Sequence, residues 1–309
     1  MPTNDPRPSK ADRRDEARLK AIALKKEQER KARRNRLLAI GGLAIAVIAL
    51  AVVVTFIVRQ GNERAAAYSD VAYGGGQAGV VSPGLDAVTT PQAADDGGGI
   101  PVSSGGVGVA GDDDTVLSIY FDFMCPFCGQ FDQINSADLE ELAAEDGVTV
   151  VYQPLSFLDR TSQGTNYSTR AANALAVVAD QSPEHVQAFI TAMYAEGTQP
   201  EEGTEGLTDE EIAAVATGVG VPQDVADAFT DTASGTFEIE DENGDTTKHE
   251  GTWRSFAPWV YAAYTAAGEK IPELTTPTIL IDGVKWEGNW QTPGTLRAAV
   301  EEAAAAAQG

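Results

Sequence analysis

Cysteine and histidine are nearly missing from this 309-residue chain, which holds two of each. Two cysteines cannot build the multi-bridge scaffold of a small disulfide-rich exported protein. A zinc site needs four ligands, and His185 and His249 lack the close spacing that would complete a Cys-x-x-Cys pair. No metal and no cofactor are therefore expected. Basic residues are scarce past Gly61, where 8 Lys and Arg face 40 Asp and Glu. Phosphate binding needs a basic footprint, so a nucleic-acid partner is excluded. The acid excess suits an exported domain kept soluble by its charge. No internal repeat is present either.

Charge is absent altogether from Leu37 to Val58, 22 residues long. A helix rising about 1.5 Å per residue spans about 33 Å over that length, close to the roughly 30 Å hydrocarbon layer. The run is apolar on every face, which fits a single transmembrane helix better than a buried core helix. Residues 1–36 carry 13 basic against 6 acidic residues, with Arg33, Arg34 and Arg36 beside the span. The basic flank predicts a cytoplasmic N-terminus, the cell membrane as location and an extracytoplasmic C-terminal domain. The segment Arg59–Arg64 separates the span from the next small residues, unlike a signal peptide, although cleavage after Ala65 to Ala67 stays open.

Four regions follow: a basic cytoplasmic segment (1–36), the span (37–58), a linker (59–98) and a folded domain (99–309). The linker is read from its Gly, Ala, Ser and Pro content, including Gly74-Gly75-Gly76 and Gly97-Gly98-Gly99. About 40 flexible residues have a root-mean-square reach of about 35 Å.

Within the domain, Ile100–Val102, Thr115–Phe123 and Val148–Gln153 read as strands, with a helix from Cys128 to Ala144 between the last two. A helical block follows: Ser168 is expected to cap a helix through Asp180, and Ser182-Pro183 to open one through Glu196. Thr208-Asp209-Glu210-Glu211 has the form of a capping box, and further helices are expected over Pro222–Ala233 and Phe256–Ala267. Asn243-Gly244 predicts a hairpin in which Glu238 faces His249. That acidic turn lacks the glycine and glutamate positions of a calcium loop. Pro277–Ile281 and Val284–Glu287 form a hairpin through Asp282-Gly283, and Pro293–Ala307 a last helix. The order suits an α/β layered fold over a small mixed sheet.

The chemistry points to Cys125-Pro126-Phe127-Cys128. Pro126 fits the first helical position, which makes Cys125 the N-cap, facing unpaired N–H groups and the positive end of the helix dipole. That setting depresses a thiol pKa and exposes a nucleophile. Cys128, one turn on, lies on the same face and would resolve a mixed disulfide. A purely structural disulfide is the main competing reading, although so short a loop adds little stability by closure. A Cys125–His185 hydrolase pair is a weaker one.

The strand ending Phe121-Asp122-Phe123-Met124, the Cys125–Cys128 motif and the later Thr276-Pro277-Thr278-Ile279-Leu280-Ile281-Asp282-Gly283 together resemble the DsbA-like branch of the thioredoxin superfamily, over residues 100–308. The resemblance implies a thioredoxin fold with a helical insertion. It implies a cis Pro277 facing the cysteines, a Thr276 backbone that receives client peptide, and Asp122 as an acid able to move the resolving thiol's proton. It also implies a dithiol oxidase that gives disulfides to reduced exported clients and is reoxidised by a membrane quinone-linked thiol oxidase. Well-known members carry histidine where Phe127 stands, which leaves redox direction open. A reductase or isomerase of specific clients, or a non-catalytic binding or chaperone module, are the alternatives.

Overall fold

The computed structural model describes residues 10–68, 72–74 and 79–307. It divides into two compact units, residues 1–60 and 61–309. One helix, α1 (Lys10–Tyr68), carries the basic segment and the apolar run without a break. It is the one helix among the described residues long and apolar enough to cross a membrane. Wherever burial is described between Leu37 and Phe56, the side chains are exposed.

The second unit is built on a six-stranded mixed sheet. Its strands are β1 (Ile100–Ser103), β2 (Gly106–Val107), β3 (Thr115–Phe121), β4 (Val148–Pro154), β7 (Thr278–Ile281) and β8 (Val284–Lys285), in the order β2-β1-β4-β3-β7-β8. The central β3–β4 pair is parallel, connected by α2 (Pro126–Ala144), while β7 runs antiparallel to β3. Every residue of β4 is buried, Thr149 and Gln153 included, as in a strand covered on both faces. Along β3, Leu117, Ile119 and Phe121 share one core with Phe131, Leu139 and Leu142 of α2 and with Leu296 and Val300 of α8 (Thr295–Ala307). Tyr120 belongs to the other face, with Leu280 and with Ala267 and Ile271 at the end of α7 (Ala257–Lys270). This is the period-2 division of a strand covered on both sides.

Between β4 and β7 lies the helical insertion: α3 (Tyr167–Gln181), α4 (Val186–Met193), α5 (Asp209–Gly218), α6 (Gln223–Asp227) and α7. Residues 167–179 of α3 are all buried. The predicted capping box holds in both directions, Glu211 N–H to Thr208 and Thr208 N–H to Glu211. Three expectations are corrected. Helix α3 opens at Tyr167 behind Asn166, and Ser168 is not its cap. The segment expected to be helical to Ala233 turns after Thr230 into β5 (Thr232–Glu240), which pairs with β6 (Thr246–Arg254). In that hairpin Phe237, not Glu238, faces His249. The reason is a longer turn: Asp241 N–H bonds Asp245 O, and Gly244 takes a left-handed φ of 84°, a three-residue loop that shifts the register by one.

The described residues of the 59–98 segment, 59–68, 72–74 and 79–98, also differ from the flexible linker their composition suggested. Helix α1 runs into them as far as Tyr68, and Ala72, Tyr73, Val80 and Ala93 are buried. Tyr73 packs edge-on against Trp253 and Phe237, and Val80 bridges to Ile239 on β5. Glycine serves close approach here: Gly98 has φ 82°, and a Cβ on it would stand 2.6 Å from Ala263 Cβ.

Candidate active site

β3 delivers the chain to the site, and a short turn reverses it into α2. Asp122 makes that turn, its carbonyl accepting Cys125 N–H at 2.9 Å and its Oδ1 accepting Met124 N–H at 2.9 Å. Cys125 is then the N-cap with extended backbone (φ −76°, ψ 117°), and Pro126 occupies the first helical position. Proline loses nothing there, because a first-turn N–H has no helical partner.

Cys125 and Cys128 are both free thiols in this structure. Cys125 is only 4% exposed, yet its pKa is lowered to about 6. The main cause is a hydrogen bond from the Cys128 thiol, opposed by burial and reinforced by Thr276 and by the N–H groups of Cys128 and Phe127. The backbone donors are those that the N-cap position predicts; the larger share comes from the partner thiol. Cys128 is pushed well above the ordinary thiol range, first by burial and then by the neighbouring Cys125 sulfur. One sulfur is thus held as a thiolate and the other as its proton-bearing partner.

Across from them the Thr276–Pro277 bond is cis. Thr276 O lies 3.4 Å from Cys125 Sγ, a hydrogen bond the sulfur donates only while it carries its proton. The Thr276 hydroxyl is buried without a geometrically complete hydrogen bond, although it lies near enough to lower both thiols. Phe127 is 55% exposed between the cysteines, the large apolar side chain that the site offers to solvent, whereas Phe121 and Phe123 are core.

Asp122 is completely buried, and burial raises its carboxyl to about 7 against the pull of its hydrogen bonds. Oδ1 accepts Met124 N–H and the Ser168 hydroxyl (2.6 Å), and Oδ2 accepts Leu158 N–H (3.0 Å). Its backbone N–H is the group that points at the Cys128 sulfur. The structure places Asp122, Pro126, Phe127 and Thr276 around the cysteines, with Pro277 following Thr276 through the cis bond, and the Asp122 carboxyl is engaged by Met124 N–H, Leu158 N–H and the Ser168 hydroxyl instead of by a thiol.

Sequence reasoning missed Tyr194 and Gln199. Tyr194 donates its hydroxyl to Asp122 O at 3.0 Å, and Gln199 Nε2 donates to Cys125 O at 2.8 Å. Both come from the end of α4 and the loop after it, some seventy residues from the motif, with no local pattern to announce them. Among the described residues no group of three or more His, Cys, Asp or Glu is placed to hold a metal.

Comparison with known proteins places this geometry. A thioredoxin family model matches residues 109–302. MdbA from Actinomyces oris, a thiol-disulfide oxidoreductase, superposes with a TM-score of 0.51 at 21% identity, over 73% of this chain and 98% of that one. MdbA from Corynebacterium diphtheriae gives 0.50 at 19% identity, over 71% and 98%. The serine/threonine-protein kinase PknE of Mycobacterium tuberculosis is 36% identical over 108 residues, which are 34% of this chain and only 19% of the kinase.

Proposed function

The chain belongs to the thioredoxin family, and from that premise we propose that it is a thiol-disulfide oxidoreductase working as a dithiol oxidase on exported client proteins. The observation that carries the reading is the asymmetric pair: an N-cap thiol lowered to about 6 beside a buried thiol raised well above its ordinary range. A stabilised thiolate favours the reduced form, which makes the disulfide form an oxidant. In the forward reaction a client thiolate attacks Cys125 Sγ of the Cys125–Cys128 disulfide. The S–S electron pair leaves on Cys128, which takes up a proton. A second client thiolate then attacks the client sulfur of the mixed disulfide and expels Cys125 as thiolate. Two electrons have entered the pair and one client disulfide has formed. A membrane quinone-linked thiol oxidase would remove those electrons, and Thr276, beside cis Pro277, would pair with the client backbone.

Turnover of a reduced, unfolded client by the full chain, with its reduction potential, tests the reading. The potential is expected between roughly −120 and −270 mV, the values typical of a strong oxidant and of a reductant in this superfamily. A value at or below the lower bound, with reduction of client disulfides, would favour a reductase. Phe127→His adds an imidazolium beside the thiolate and is expected to lower the Cys125 pKa and raise the potential together, by some tens of millivolts, since about 30 mV corresponds to one pKa unit in a two-electron couple. Unchanged values would move control of the potential to Thr276.

For the location, α1 serves as a membrane anchor with residues 61–309 outside the cell, a reading supported by the basic residues before Leu37. Protease added to intact cells with permeabilised walls is expected to release a fragment containing Cys125. Protection until the membrane is lysed would reverse the orientation.

A further inference from the structure

The Cys125 carbonyl is the acceptor that starts α2. It receives Cys128 N–H at 3.1 Å and Gly129 N–H at 3.3 Å, and a third donor reaches it from outside the helix, Gln199 Nε2 at 2.8 Å. Gln199 is half-buried and its backbone is tied back to the turn that follows α4, with Gln199 N–H on Ala195 O at 3.2 Å. Glycine at residue 129 leaves space that the carboxamide occupies: a Cβ there would overlap Gln199 Oε1, and the carboxamide would have to shift. Gly129 is otherwise a poor choice for a helix interior, where it costs about 1 kcal/mol relative to alanine. The pairing of a glycine gap with a side chain that fills it and bonds the N-cap carbonyl points to one arrangement.

We propose that Gln199, carried by the helical insertion, is a positioning residue that clamps the Cys125–Pro126 peptide, and so holds the Cys125 sulfur against the N–H groups of Phe127 and Cys128. The clamp also ties the insertion to the redox pair, because Gln199 cannot move with α4 without releasing the N-cap. The proposal rests on the reading of Cys125 as the reactive thiolate.

Full chain in detergent, reduced, is assayed for the pH dependence of Cys125 alkylation, with Cys128 silent because its raised pKa keeps it protonated. Gln199→Ala is expected to raise the Cys125 pKa by about half to one unit, a roughly three- to tenfold loss of thiolate well below the pKa. Gln199→Glu keeps the volume but removes the donor and adds a charge facing the carbonyl. It is expected to raise the pKa further than Gln199→Ala, an order that a packing role would reverse. Gly129→Ala should reproduce Gln199→Ala by expelling the carboxamide, and the double variant should be no worse than either single one. Additive effects, or Gln199→Ala and Gln199→Glu with the wild-type profile, overturn the clamp. If Gly129→Ala does not fold, the ranking of the two Gln199 variants still decides. A wild-type chain whose Cys125 titrates as an ordinary thiol and turns over no client defeats the functional reading instead, which keeps the two failures apart.

Discussion

Cys128→Ala is expected to abolish turnover and to collect mixed disulfides through Cys125, while Cys125→Ala is expected to be inert toward clients. The difference follows from depth and charge. Cys125, lowered to about 6, is mostly thiolate at neutral pH, and a thiolate attacking a client disulfide forms a mixed disulfide and releases a client thiolate. In the intact protein Cys128 then attacks Cys125 Sγ, closing the Cys125–Cys128 disulfide and expelling the remaining client sulfur as thiolate, so two electrons pass from the pair to the client. Without Cys128 that step has no nucleophile and the intermediate persists. With Cys125 removed, Cys128 is left as a fully buried thiol pushed far above neutrality, so almost none of it is ionised and no client sulfur reaches it. Loss of the partner thiol also removes the largest stabilising contact on the Cys125 thiolate. The Cys125 pKa should therefore rise in Cys128→Ala, and trapping should be slower at pH 6 than at pH 8. Non-reducing gels of the two variants after incubation with a disulfide-bonded peptide decide the matter. Trapping by Cys125→Ala would exchange attacker and resolver.

How much of this was legible in the sequence depends on whether the cause was local. The Cys125–Cys128 helix start, the Thr208 capping box and the β3 and β4 strands are specified by neighbours within a few residues, so their patterns could be read directly. The Asn243-Gly244 hairpin was visible but its register was not, because an extra loop residue alters every pair without altering the apolar pattern of so exposed a ribbon. The segment 72–98 was misread for a different reason: glycine signals both freedom and close contact, and only the packing of Tyr73, Val80 and Gly98 against β5, β6 and α7 tells which. Ser168 had the composition of a cap and instead spends its hydroxyl on Asp122, a contact 46 residues back in the chain. Gln199 and Tyr194 reach the site only because the insertion folds over it.

Asp122 is expected to make the stability of the domain fall as pH rises, and its replacement to show why. An unfolded aspartate releases its proton near pH 4, whereas the buried carboxyl holds it to about 7. Below pH 4 both states are protonated and no penalty exists. Between about 4 and 7 the unfolded chain ionises first, so the folded state loses stability across that window and the loss is complete above the folded pKa. A shift of about three units is on the order of 4 kcal/mol. Asp132 and Asp159, each raised to about 6 by burial, add to the same slope. Asp122→Asn cannot ionise and should flatten the curve, gaining on the wild type most at pH 8. Asp122→Ala should behave otherwise, since it strands Met124 N–H, Leu158 N–H and the Ser168 hydroxyl in a buried turn, at about 1–3 kcal/mol for each group left unpaired. Its deficit should be greatest at pH 5, where of the three conditions the wild type has lost least to ionisation. Urea unfolding of the three proteins at pH 5, 6.5 and 8 measures all of this. A wild-type stability that is flat over the range, or an Asp122→Asn variant that keeps the full slope, would place the ionisation elsewhere and leave Asp122 as a hydrogen-bonding group of the loop alone.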